Sequence, residues 1–261
     1  METNREFNSM EQPPAKAWGL ALPLFIRPRS TLEEINRQTR SIWATPLLIL
    51  TVIAIVFAFI ASPIRKQLVQ TGGNLPPQFQ YYSQEDQQKF LAAQETRSSG
   101  IFTLGFPLSG QIIGIWLSWF LFGSVLHLTL TLAGSRSSNL SALNLAAWSM
   151  LPLGLRYIVQ MIYMLSTRQL VAGAGLSGLI TNETNGVVAF FREVVGSIDL
   201  FFIWQAALLW LGASLLGRLP RGRTAAAVGI TIIILLVLMA VPGFLAGKLS
   251  GLSTGSPFFY F

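Results

Sequence analysis

"PLLILTVIAIVFAFIA", residues 46–61, decides the fold. From Leu47 to Ala61 it carries no charged side chain. A hydrocarbon core of about 30 Å takes ~20 apolar residues as a helix, so with its flanks (42–62) this segment is long enough to cross a bilayer. Pro46 falls in its opening turn, where a missing N–H costs little. Four further stretches reach the same length, at about 108–132, 142–165, 197–217 and 224–246, and Ile230 to Val241 in the last is the most hydrophobic. The expected fold is an all-α integral membrane protein, a bundle of five transmembrane helices with an interfacial N-terminal segment.

Composition agrees. Of 261 residues 52% are hydrophobic and only 11% charged, under half the charged share of about 25% in a soluble domain. The net charge of +7 raises the question of nucleic acid, but the Lys and Arg residues sit at the ends of apolar runs with no basic stripe between aromatic residues, so no nucleic-acid partner is expected. The bilayer is the expected partner. Cysteine is absent, which rules out disulfides and thiolate metal sites. Residues 1–17, with Glu2, Glu6 and Glu11, read as a disordered cytoplasmic tail rather than a signal peptide.

Orientation follows from the excess of Lys and Arg on cytoplasmic segments. With the N-terminus inside, ten cations lie inside (Arg5, Lys16, Arg27, Arg29, Arg37, Arg40, Arg136, Arg218, Arg221, Arg223) and seven outside (Arg65, Lys66, Lys89, Arg97, Arg168, Arg192, Lys248). The dense turn "GRLPRGR" fixes its two flanking helices to one side. The N-terminus is therefore expected in and the C-terminus out, with a membrane domain over 18–246, an external loop over 63–107 and a short external tail over 247–261. The apolar run from Trp18 to Ile26 is too short to cross and is interrupted by Pro23, so it is expected to lie in the interface, anchored by Trp18, Phe25, Arg27 and Arg29. Ser30 and Glu33 form a capping-box pattern that predicts a short helix from Thr31 to Arg40. In the external loop, Ser83 is expected to cap a polar helix. The Gly-rich stretch "LVAGAGLSGLITNETNG" is a candidate re-entrant segment, and its Asn182-Glu183-Thr184 triplet is a chance match to a glycosylation sequon.

Few residues invite chemistry. His127 is the only histidine, so a histidine metal centre is excluded, and a packed or snorkelling side chain is expected. Ionisable groups inside spans are costly and face the protein interior, which singles out Arg156 in the third span and Asp199 at the start of the fourth. Read together they are a structural clamp or, alternatively, a gate on a solute path. Gly110, Gly114 and Ser118 in span two, and Gly243 and Gly247 in span five, have the four-residue spacing that lets helices approach closely, within the chain or in a homo-oligomer. No phosphate-binding glycine loop, nucleophile elbow or paired catalytic carboxylates occur, so neither enzyme activity nor a cofactor is expected.

Three segments in the right order carry a resemblance. "LFIRPRSTLEEI" (24–35) is similar to an "F..P..t…i" lead into a first span. "LNLAAWSMLPLGL" (143–155) is similar to an "a.aysllP" signature through Trp148, Ser149, Leu151 and Pro152. "DLFFIWQAALLWLGASLLGRLPRGRTAAAVGI" (199–230) is similar to paired terminal helices joined by a basic turn. Over about residues 20–246 the chain resembles the Yip family, the Ypt/Rab-interacting five-span membrane domain, in its bacterial-type branch; the "DLYGP" box of the eukaryotic branch has no counterpart here. The resemblance implies a non-enzymatic accessory or scaffold protein of a bacterial plasma membrane that binds another membrane complex, such as an ABC-type exporter. A small permease or channel and a membrane-shaping protein acting through the N-terminal segment are the alternatives.

Overall fold

The computed structural model describes residues 17–70, 79–171, 176, 186–217 and 219–252. Among these, ten α-helices and no strand occur: α1 (Ala21–Ile26), α2 (Pro28–Arg37), α3 (Ala44–Gln70), α4 (Gln84–Arg97), α5 (Phe106–Leu132), α6 (Asn139–Ser149), α7 (Leu151–Thr167), α8 (Gly186–Gly196), α9 (Leu200–Leu216) and α10 (Arg221–Leu252). Four continuous or nearly continuous helical stretches are long and apolar enough to cross a membrane, with α6 and α7 together making one of them. α8 and α9 meet at 72° and supply a fifth crossing if the bent pair is one span. The bundle is thus an all-α membrane fold with four to five candidate crossings.

Each long helix buries one stripe and leaves the rest for lipid. On α3, Leu47, Leu50, Ala54, Ala58 and Ala61 are buried at three- and four-residue spacing, whereas Leu48, Val52, Val56 and Phe59 are exposed. On α5, Ile115, Trp119, Phe122, Leu126 and Leu130 are buried, opposite the exposed Ile113, Leu117, Phe120 and Leu128. Lipid tails are as apolar as leucine, so close packing and polar contacts hold such helices together. Glycines supply the close packing. A Cβ at Gly154 would lie 3.1 Å from both Leu50 Cδ2 and Ile53 Cδ1, which lets α7 seat on α3. One at Gly123 would meet the Leu143 Cα at 3.0 Å, and one at Gly212 would collide with the Leu145 side chain, so α6 lies in a groove between α5 and α9. Trp43, Trp116 and Trp119 form a ring cluster between α3 and α5, with the Trp43 and Trp119 centroids 4.4 Å apart and the Trp119 indole donating to Leu143 O at 3.0 Å. Thr129 and Thr231 share a buried hydroxyl bond of 2.8 Å between α5 and α10.

The N-terminal hook differs from its expected form. Helix α2 begins at Pro28, whose fixed φ suits a first helical position, and it ends at Arg37. The Ser30–Glu33 capping box is therefore not formed: Ser30 Oγ donates to Arg27 O at 3.2 Å and Glu33 accepts from Arg29 Nε at 3.4 Å. One side of the hook also packs into the bundle, while Trp18, Leu22 and Ile26 stay exposed on it. Leu20, Leu24, Leu32 and Ile35 belong to the main core, against α6 and α9, and Asn36 Nδ2 donates to Gly212 O at 3.1 Å. Asn144 of α6 clips the following turn by accepting from Ile42 N and donating to Arg40 O, at 3.0 and 2.9 Å.

At the opposite end, Ser83 caps α4 by accepting from Asp86 N, as its sequence predicts. Before α5, residues Ile101–Gly105 form a π turn, and Thr103 in it accepts from Arg65 Nη1 through its carbonyl at 3.4 Å. The re-entrant candidate and its Asn182 triplet lie almost wholly outside the described residues.

Candidate functional site

Arg156 and Asp199 meet. Helix α7 starts afresh at Leu151 with Pro152 in its first turn, and five residues later it carries Arg156 toward the head of α9. Asp199 has extended backbone angles (φ −136°, ψ −178°) and is the N-cap of α9, its Oδ1 accepting from Phe202 N at 2.7 Å. Its Oδ2 accepts from Arg156 Nη1 at 3.1 Å. The two side chains are 27% and 19% exposed, so the pair is partly shielded from solvent and lipid alike.

This carboxylate has two tasks. One oxygen satisfies an orphan amide at the positive end of the α9 dipole, and the other neutralises a guanidinium. Next to Arg156, the Tyr157 ring lies 5.8 Å from the guanidinium carbon and 5.1 Å from the Phe57 ring of α3. The chain of contacts runs from α3 through α7 to α9, and it ties the break before α7 to the bend before α9.

The other candidates are dispersed. His127, on α5, has a buried Nδ1 without a protein partner, and no group of three or more His, Asp or Glu side chains comes together anywhere among the described residues. A Cβ at Gly110 or Gly114 would meet no heavy atom within 4 Å, so neither makes a close helix approach inside the chain. Ser118 of the same row is half-buried. Gly243 and Gly247 both lie in α10, after Pro242. The close approaches belong to Gly123, Gly154 and Gly212, whose spacing follows no small-residue motif. On the hook, Trp18 is 62% exposed, Phe25 packs edge-on against Trp204 with centroids 5.5 Å apart, and Arg27 and Arg29 are exposed.

Two polar residues stand out that a search for ionisable groups passes over. Asn144 is fully buried and pins the hook to α6. Gln205 of α9 is 1% exposed, and neither its Oε1 nor its Nε2 has a protein partner. Both were visible as lone amides inside apolar helical sequence, "SALNLAAWS" and "FFIWQAALLW".

A family model for the Yip1 domain matches residues 22–242, from within α1 to most of the way along the last crossing. No curated protein and no solved structure matches the chain. The residues matched, the all-α bundle and the apolar crossings agree: the chain belongs to the Yip1-domain family of multispan membrane proteins.

Proposed function

We propose that this protein is a non-enzymatic accessory or scaffold subunit that binds another membrane complex, an ABC-type exporter being the suggested class, in a bacterial plasma membrane. The observation that carries this reading is the basic end of the bundle. Arg27, Arg29, Arg37, Arg40, Arg136, Arg221 and Arg223 are all exposed, on the hook, on the turn that joins α5 to α6 and in the first turn of α10. Only Glu33 and Glu34 offset them there among the described residues. Because the hook is bonded to α6 and α9, this charge is displayed on a rigid frame, which suits a partner with a fixed acidic surface. The open Gly110–Gly114 face of α5 would admit a partner helix, or a second copy, at short range.

The alternatives have less support. For a gated solute path, Asp199 would need a free oxygen to exchange partners, yet both of its oxygens are already bonded. For a membrane wedge, the hook would need its whole apolar surface, yet Leu20 and Leu24 are spent on the core and only Trp18, Leu22 and Ile26 remain exposed. Affinity purification in mild detergent tests the preferred reading. A stoichiometric membrane partner is expected, lost on Arg27→Glu with Arg29→Glu while the melting temperature stays unchanged. Repeated recovery of the chain alone would overturn it.

A further inference from the structure

A second polar position lies at mid-depth in the bundle, where the third crossing is broken. Helix α6 ends at Ser149 and α7 begins at Leu151, with Met150 between them. Pro152 has no N–H to offer Trp148 O, and the Leu153 N–H turns to Met150 O at 2.9 Å instead of Ser149 O. Trp148 O thus keeps only the Met150 N–H of its own turn, and Ser149 O loses its helical donor, inside the membrane-spanning part of the fold. Trp148 and Ser149 are fully buried, and the Trp148 indole Nε1 has no protein partner.

Gln205 lies at the same level. α6–α7 and α9 run antiparallel, and two contacts fix their register: Leu145 with Gly212, and Arg156 with Asp199. Gln205 is seven residues before Gly212 and six after Asp199, about 10 Å and 9 Å along the axis at 1.5 Å per residue. Met150 is five residues after Leu145 and six before Arg156. The buried amide and the helix break therefore face the same layer of the bundle.

We propose that this layer holds internal water, bound between the Gln205 amide, the Trp148 indole N–H and the carbonyls released at the break. The chemistry is complementary. Gln205 supplies two donors and an acceptor, Trp148 one donor, and the broken helix acceptors, which meets the two to four polar partners that a buried water requires. Breaks in membrane helices persist only where such groups are satisfied again. A buried amide with neither atom bonded is disfavoured, and water supplies both bonds.

Gln205→Met, close in volume, and the ¹⁵N-indole spectrum of the detergent-solubilised protein test the site. The Trp148 indole resonance, assigned by its loss in Trp148→Phe, is expected to show magnetisation transfer from water in the native chain. In Gln205→Met that transfer should disappear while the other indole resonances hold their positions. The variant is also expected to melt lower, by about 2–4 °C for one lost hydrogen-bonded group in a chain of this size. A native Trp148 indole silent to water, transfer that persists in Gln205→Met, or a melting temperature that rises when the amide is removed would each overturn the proposal.

Discussion

The Arg156–Asp199 pair allows its partners' costs to be ranked before any measurement. In Asp199→Asn the cap survives, because Asn is as good an N-cap as Asp, and only the charge is lost. Arg156 then keeps its charge with the Tyr157 ring at 5.8 Å as its remaining support. In Arg156→Leu the stranded carboxylate still has the Phe202 N–H at 2.7 Å and the positive end of the α9 dipole. An unpaired charge at the bilayer centre costs about 2.5–3.5 kcal/mol, but side chains 27% and 19% exposed retain some solvation, so about 1–2 kcal/mol is expected for Asp199→Asn. Arg156→Leu should cost roughly half as much. The double variant should regain part of the sum, leaving a coupling of about 1 kcal/mol. Thermal unfolding of the four proteins in one detergent reads this cycle. Losses that add to within about 0.5 kcal/mol would show that the two side chains do not interact in solution, and a larger loss for Arg156→Leu would refute the ranking.

Other outcomes follow from the packing. Gly123→Ala, whose new Cβ would press on the Leu143 backbone at 3.0 Å, should destabilise by about 1–3 kcal/mol, whereas Gly114→Ala, with open space around it, should leave melting of the isolated chain unchanged. Asn144→Ala removes both bonds of the clip on Arg40 and Ile42, and should cost about 1–3 kcal/mol and expose the 38–43 turn to added protease. Thr231→Val should cost only about 0.6 kcal/mol in a melting experiment, because Thr129 Oγ1 keeps its bond to Leu126 O at 3.1 Å. Single cysteines at Ser138 and Arg221 should resist an impermeant thiol reagent applied from outside, while one at Ser83 should react.

What the sequence displayed and what it hid divide along physical lines. The crossings were legible because an apolar run of this length admits few other solutions, and the Arg156–Asp199 pair because charge in such runs is rare. Ser83 was legible as a cap because its bond to Asp86 N is local. The contacts of Gly123, Gly154 and Gly212 were not, since each depends on a leucine or isoleucine of another helix and on no spacing within its own. The hook misled for the same reason. Ser30 and Glu33 have the right interval for a capping box, but the helix opens at Pro28, three residues before the expected Thr31, and it then turns Leu32 and Ile35 into the core. Gln205 and Asn144 needed a different question, about uncharged amides in apolar helices.

The hook also changes the meaning of the charge bias. A count of ten cations against seven treats each segment as an independent vote on orientation. In the folded chain they are not independent. The bond from Asn36 to Gly212 O holds α2 at the α10 end of α9, and Asn144 holds the Arg40 turn beside α6. Gly134, in a left-handed conformation at φ 100°, brings the α5–α6 turn up to Leu219. The seven exposed arginines of this end therefore cross the membrane, or stay, together, and the bundle has two possible orientations rather than many. Labelling at Ser138 alone, with Arg221 protected, fits neither orientation, so it would refute the packing of the hook and turns before it refuted the positive-inside assignment.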